Sequence, residues 1–124
     1  AWIRAENAAV EMARTSGKPI IIDFFTDECI PCKELEHFTF SDPKVQELAQ
    51  SFVPARIDLT LRGYTPADQK QEIERVQKKY GVFGVPRVMF LNAAGEVIDP
   101  KLILTGFEGP EKFSARMEAA LAQL

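Results

Sequence analysis

The stretch from Ile20 to Glu36, IIIDFFTDECIPCKELE, constrains this chain more than any other. Ile20-Ile21-Ile22-Asp23-Phe24-Phe25 is short, β-branched and aromatic, which predicts a buried strand. It runs through Thr26-Asp27-Glu28 into Cys29-Ile30-Pro31-Cys32, and Lys33 to Phe40 then predicts a helix. Cysteines at i and i+3 lie on one face of a first helical turn, close enough to bridge. A helix start carries partial positive charge and free N–H groups, so it favours a thiolate over a thiol. Pro31 suits the place, because its missing N–H has no helical partner there anyway.

Two other uses of the pair compete with redox chemistry. Two inert core cysteines are one, but a helix mouth is not core. A metal site is the other. Zinc needs two more ligands, and only His37, five residues past Cys32, and some carboxylates are near. His37 reads as a surface or partly packed helix residue, and no metal site is assigned.

The rest of the chain predicts one domain over residues 1–124, with 46% hydrophobic residues to build a core without disulfide staples. Fifteen basic against eighteen acidic side chains give a net charge of −3 and no basic stripe, which disfavours nucleic acid. No apolar run approaches the roughly 20 residues needed to span a bilayer. Glu6 to Arg14 predicts an amphipathic helix with Ala9, Val10 and Ala13 on one side, stopped by Ser16-Gly17-Lys18-Pro19. Asp42 and Pro43 restart a helix whose apolar positions are Val45, Leu48, Ala49 and Phe52, with Val53 and Pro54 as its end. Ala55 to Leu59 predicts a second strand and Leu61 to Thr65 a loop, with Thr65 as cap for Pro66. Gln69 to Tyr80 predicts a polar helix with Ile73, Val76 and Tyr80 inward, ended by Gly81. Val85 to Leu91 is a strand entered through Pro86. Asn92 to Gly95 turns the chain into an antiparallel run, Glu96 to Ile98, and Leu102 to Thr105 extends or follows it. A last helix opens at Gly109-Pro110, with Phe113, Met117, Ala120, Leu121 and Leu124 as one stripe. This order predicts an α/β fold, a central mixed β-sheet flanked by helices on both faces.

Strand, aspartate, CxPC and helix, followed much later by Gly84-Val85-Pro86, resemble the thioredoxin superfamily. The longer run Cys32-Lys33-Glu34-Leu35-Glu36-His37-Phe38-Thr39-Phe40-Ser41-Asp42-Pro43 is similar to the C-terminal, thioredoxin-like domain of the DsbD type of thiol:disulfide interchange protein. Two departures stand on the expected docking rim. Glu28 replaces the tryptophan that many relatives carry before the first cysteine, and Arg87 follows the proline where threonine is common.

Disulfide exchange needs an attacking thiolate and a second thiol that resolves the mixed disulfide. Cys29, nearer the helix start, is assigned the attack and Cys32 the resolution, as the resemblance also implies. Asp23 has two readings: a strand residue facing solvent, or a buried acid that exchanges a proton with Cys32. An acid at this place in the thioredoxin motif supports the second. Glu36 lies four residues past Cys32, on its face. It is either a solvated helix residue or, as the resemblance implies, a partner of Asp23 in tuning the attacking cysteine. Carried over from the superfamily, Val85 and Pro86 form a cis peptide beside the disulfide and receive the substrate chain, with Ile30 and Pro31 completing a small apolar patch for brief encounters. From Asp23 to Glu36 five acids face Lys33 alone, a balance of −4, which disfavours a further negative charge on sulfur. That predicts a reductant.

The resemblance therefore implies a monomeric protein-disulfide reductase in the bacterial periplasm, tethered to the inner membrane within a larger protein. It takes electrons from a membrane-embedded donor domain and passes them to a periplasmic thioredoxin-like acceptor. No cofactor beyond the Cys29–Cys32 disulfide is called for. The rival readings are a free-standing thioredoxin-like reductase for cytochrome maturation or repair, and a non-enzymatic module whose CxxC holds a metal or is inert.

Overall fold

The structure is a computed structural model and describes residues 2–124. Helix α1 (Glu6–Ser16) leads into β1 (Ile20–Phe25), and α2 (Ile30–Glu34) continues directly as a π-helical turn over Leu35–Thr39. Then come α3 (Pro43–Ala49), β2 (Val53–Asp58), α4 (Ala67–Tyr80), β3 (Arg87–Leu91), a 3₁₀ turn at Pro100–Leu102 and α5 (Pro110–Ala122).

The apolar run is the central strand, in the order β2-β1-β3. It pairs parallel with β2, setting Asp23 opposite Arg56, and antiparallel with β3, setting Phe24 opposite Arg87. A central strand covered on both faces cannot alternate with solvent, which is why its sequence is nearly continuous in hydrophobicity. Ile20, Ile22 and Phe24 pack with Ala9 and Ala13 of α1 and Ile73 and Val76 of α4. Ile21 packs on the other face with Leu35, Val45 of α3, and Phe113 and Met117 of α5. The expected mixed sheet with helices on both faces is the one observed.

Several boundaries differ from the sequence reading. The CxxC helix starts at Ile30 instead of Lys33 and does not run as α-helix to Phe40; Phe40 N–H reaches back five residues to Leu35 C=O, at 2.8 Å. Val53 and Pro54 open β2 instead of closing a helix, because Val53 N–H bonds Pro19 C=O at 2.7 Å and draws the chain into the sheet. Pro54 is tolerated beside the edge, where its C=O receives Ile3 N–H at 2.8 Å. Thr65 does not cap α4; its hydroxyl instead accepts Arg62 N–H at 2.8 Å within the preceding loop. Val85 lies outside β3.

The run after the Asn92–Gly95 turn forms no strand. It touches β3 through single bridges, Leu91 with Val97 and Val88 with Leu104, and the 3₁₀ turn at Pro100–Leu102 separates them. Leu124 does not join the inner stripe of α5 and is 63% exposed, past the end of the helix. Gly81 does end α4 as expected, at φ 66°, a left-handed conformation that favours glycine.

Candidate active site

Cys29 caps α2. Its Sγ accepts Cys32 N–H at 3.2 Å, while its C=O accepts Lys33 N–H at 3.1 Å. The two cysteines form a disulfide with Cα atoms 5.2 Å apart. Pro31 stands at the second helical position, where no intrahelical acceptor awaits its nitrogen. Cys29 is half-buried, whereas Cys32, one turn on, is 2% exposed. Ile30 between them is 69% exposed. The Val85–Pro86 bond is cis.

Behind the pair lies a buried charge network. Asp23 is 1% exposed, on the same face of β1 as Ile21. Arg56 Nε donates to Asp23 Oδ2 at 2.9 Å, and its Nη1 reaches Glu36 Oε1 at 3.2 Å. The guanidinium also lies over the Phe25 ring, 4.3 Å from its centroid. Asp23 Oδ1 has no hydrogen-bond partner among the described residues. Burial raises the Asp23 carboxyl to about 6; Arg56 pulls it down, and the Glu36 charge beyond pushes it up again. Glu36 itself stays largely in solvent, with a side chain 59% exposed.

A second arginine sits on the outer rim. Arg62, in the loop after β2, pairs with Asp27 through Nη2 and with Glu28 through Nη1 at 3.1 Å. The sequence count around the motif therefore overstates the local charge. With Arg56, Arg62, Arg4 over the Phe25 ring and Arg87 opposite Phe24 included, five acids face five cations, so the balance is near zero instead of −4.

The model of the thioredoxin-like domain family matches residues 6–121. The chain belongs to the thioredoxin-like domain family. It is 35% identical over 106 residues to the thiol:disulfide interchange protein DsbD of Salmonella typhi, covering 86% of this chain and 17% of that protein. The chain thus spans about a sixth of the length of the curated relatives it matches. The oxidised C-terminal domain of Neisseria meningitidis DsbD is 28% identical, with a TM-score of 0.73 over 95% of this chain and 98% of that one. A thioredoxin from Thermus thermophilus, 23% identical with a TM-score of 0.77, covers 98% of this chain and 88% of its own and shares the fold.

In this thioredoxin-like domain the sequence-predicted residues fall at one end of the sheet. β1 runs toward Cys29; β3 runs antiparallel to it, so the cis Val85–Pro86 peptide that precedes β3 lies at the same end. Asp23 is buried, which removes its solvent-facing reading, and Arg56 joins it to Glu36. Arg56 is the residue that sequence reasoning missed. A charged residue inside an otherwise apolar strand was its only signal, and only register against β1 turns that into a partner for Asp23. His37 is exposed. Among the described residues no group of three or more His, Cys, Asp or Glu side chains could hold a metal ion, and no helix is long and apolar enough to cross a membrane.

Proposed function

We propose that this domain is a thiol–disulfide oxidoreductase that works as an electron donor. One observation carries the reading: the bonded sulfurs are unequally exposed at a helix start, Cys29 half-open and Cys32 buried. In the dithiol form, the Cys29 thiolate attacks one sulfur of a partner disulfide, and the partner's other sulfur leaves as a thiolate that takes up a proton. The Cys32 N–H that now points at Cys29 Sγ stabilises that attacking thiolate. Cys32 then loses its proton and attacks Cys29 Sγ in the mixed disulfide, releasing the second partner thiol. Two electrons pass to the partner and Cys29–Cys32 is left oxidised. Asp23 takes the proton of Cys32. Raised to about 6, it is a stronger base than an ordinary aspartate and is still mostly ionised at pH 7.

The direction rests on likeness. The likeness to DsbD supports a place in the bacterial periplasm, a membrane-embedded donor and a thioredoxin-like acceptor. Exposed Ile30 and half-buried Val85, at the same end of the sheet, support brief contacts with both. The test is the reduction potential of the Cys29–Cys32 pair in a dithiothreitol or glutathione buffer. Reference points are about −270 mV for thioredoxin and about −120 mV for a strong oxidase. A value near the reducing end is expected. A value near the oxidising end overturns the donor reading, and no measurable couple leaves only a binding module.

A further inference from the structure

The residue after the cis proline carries a charge that no acidic group among the described residues answers. Arg87 opens β3, half-buried, opposite Phe24. Its Nε is closed off from solvent, and among the described residues no acceptor meets it. Arg56 and Arg62, which meet the acids of the disulfide segment, are both committed: Arg56 to Asp23 and Glu36, Arg62 to Asp27 and Glu28. A buried donor left without an acceptor costs about 1–3 kcal/mol. Packing of its stem does not account for that cost, since an uncharged side chain would pack there without it.

Arg87 also lines an open cavity of about 240 Å³, shared with Phe83, Val85, Pro86 and Thr105. Phe83 is 93% exposed, the most exposed large apolar side chain among the described residues. Because Phe24 and Arg87 are paired, this cavity opens at the end of the sheet from which Cys29 emerges. At this end of the sheet Asp27 and Glu28 share the single guanidinium of Arg62, whereas Arg87 has no acidic partner among the described residues.

We propose that Arg87 selects the partner: the segment that brings a disulfide to Cys29 places an Asp or Glu side chain, close in sequence to its reacting cysteine, against the Arg87 guanidinium. Apolar atoms of the same segment seat on Phe83. This rests on the reading of Cys29–Cys32 as an exchanging pair. A basic side chain gains less beside Asp27 and Glu28, whose charges Arg62 already meets in part.

The experiment uses the reduced domain and synthetic peptides closed by one internal disulfide. The peptides differ only in carrying Glu, Gln or Lys at one of the three positions on either side of the first cysteine. Second-order rates of peptide reduction are compared as Glu/Gln ratios within each protein variant, so any general effect on Cys29 cancels. The wild-type domain is expected to favour Glu by about three- to tenfold at one or more positions, less at high salt. Arg87→Gln brings the ratio to about one, Arg87→Lys keeps part of it, and Arg87→Glu turns the preference toward Lys. A wild-type ratio near one at every position, or a ratio that survives Arg87→Gln, overturns the proposal. Reduction of hydroxyethyl disulfide separates the two claims: if it proceeds while no peptide is reduced, partner selection fails and the exchange chemistry stands. If neither is reduced, the exchange reading itself falls and partner selection falls with it.

Discussion

Asp23, in the central strand, and Glu6, at the start of α1, are 1% and 2% exposed, and each faces arginine. Burial alone pushes both carboxyls up. At Glu6 three donors converge: Arg75 Nη2 on Oε1 at 2.5 Å, Lys79 Nζ on Oε2 at 2.7 Å, and the Tyr80 hydroxyl on Oε2. Together they outweigh burial and hold the carboxyl below the usual range. At Asp23 a single guanidinium serves, shared with Glu36, and one oxygen has no partner, so burial wins and the carboxyl rises to about 6. Two things separate them: Glu6 has more donors, and its carboxyl is less deeply desolvated than that of Asp23. Glu6 ties α1 to α4 as a fixed charge; Asp23, in the strand that feeds the disulfide, is left able to exchange a proton near neutral pH.

Arg56→Met tests that contrast with the largest expected effect. Removing one partner of a buried pair leaves the other charge uncompensated, which costs about 3–5 kcal/mol. The loss should be greatest at pH 8, where Asp23 is ionised, and smaller at pH 5, where it can take a proton. Urea unfolding at the two pH values reads it. An equal loss at both means that Asp23 is not the charge left behind.

Glu6→Gln comes next, at about 1–3 kcal/mol near pH 7. A carboxyl held low in the folded state contributes stability that is present above its unfolded value of 4.5 and lost as pH falls through the folded value. The gap between wild type and Glu6→Gln should therefore close in acid. A gap that is constant from pH 7 to pH 3 would mean that packing, and not charge, is what Glu6 supplies.

Asp23→Asn should act with the opposite sign. A carboxyl raised in the folded state contributes stability that is full below its unfolded value of 3.8 and is lost as pH rises through about 6. Asparagine removes that loss, worth on the order of 3 kcal/mol by the shift alone. Arg56 then lacks its anionic acceptor, which offsets part of the gain. A net stabilisation of about 1–2 kcal/mol at pH 8, and none at pH 4, is expected from the same unfolding series. A variant destabilised at pH 8 would mean that the pair with Arg56 outweighs the burial of Asp23.

How much of this contrast can be read in the sequence follows from what each residue's partners are. Ile20–Phe25 is legible as a strand to the residue, because a both-faces-buried strand has a compositional signature that no neighbour is needed to interpret. Cys29–Cys32 at a helix start is legible for the same reason, since its spacing and its proline are local. Asp23 is marked by its apolar surroundings, but its partner Arg56 is 33 residues away and meets it only through strand register. Glu6 passes as an ordinary first-turn acid of an amphipathic helix, because its three donors lie on α4, 69 to 74 residues on. The run beyond Asn92 reads as a strand because β-propensity and a turn are local signals. The interruption at Pro100, with Asp99 Oδ1 accepting Lys101 N–H at 3.0 Å, breaks the ladder that those signals promise. Net charge around the disulfide fails in the same way: a window in sequence counts neighbours along the chain, and the neutralising arginines come from outside it.

The smallest effect belongs to Glu36, and it separates a buried acid from an exposed one at the same guanidinium. Glu36→Gln removes a negative charge from the helix that carries the cysteines, so Cys29 in the reduced domain should become slightly more acidic. Its side chain is 59% exposed, so solvent and ions weaken whatever it does at the sulfur. A fall of roughly a few tenths of a unit in the Cys29 titration is expected at low salt, read by thiolate absorbance, and little of it should remain in 0.5 M salt. Asp23→Asn, acting from the buried side of Arg56, should lower the same titration by more and be nearly indifferent to salt, since ions cannot reach between the charges. If Glu36→Gln moved Cys29 further than Asp23→Asn, the exposed acid would be the one coupled to the sulfur. The network would then run from Glu36 inward, with Asp23 reduced to a counter-charge for Arg56.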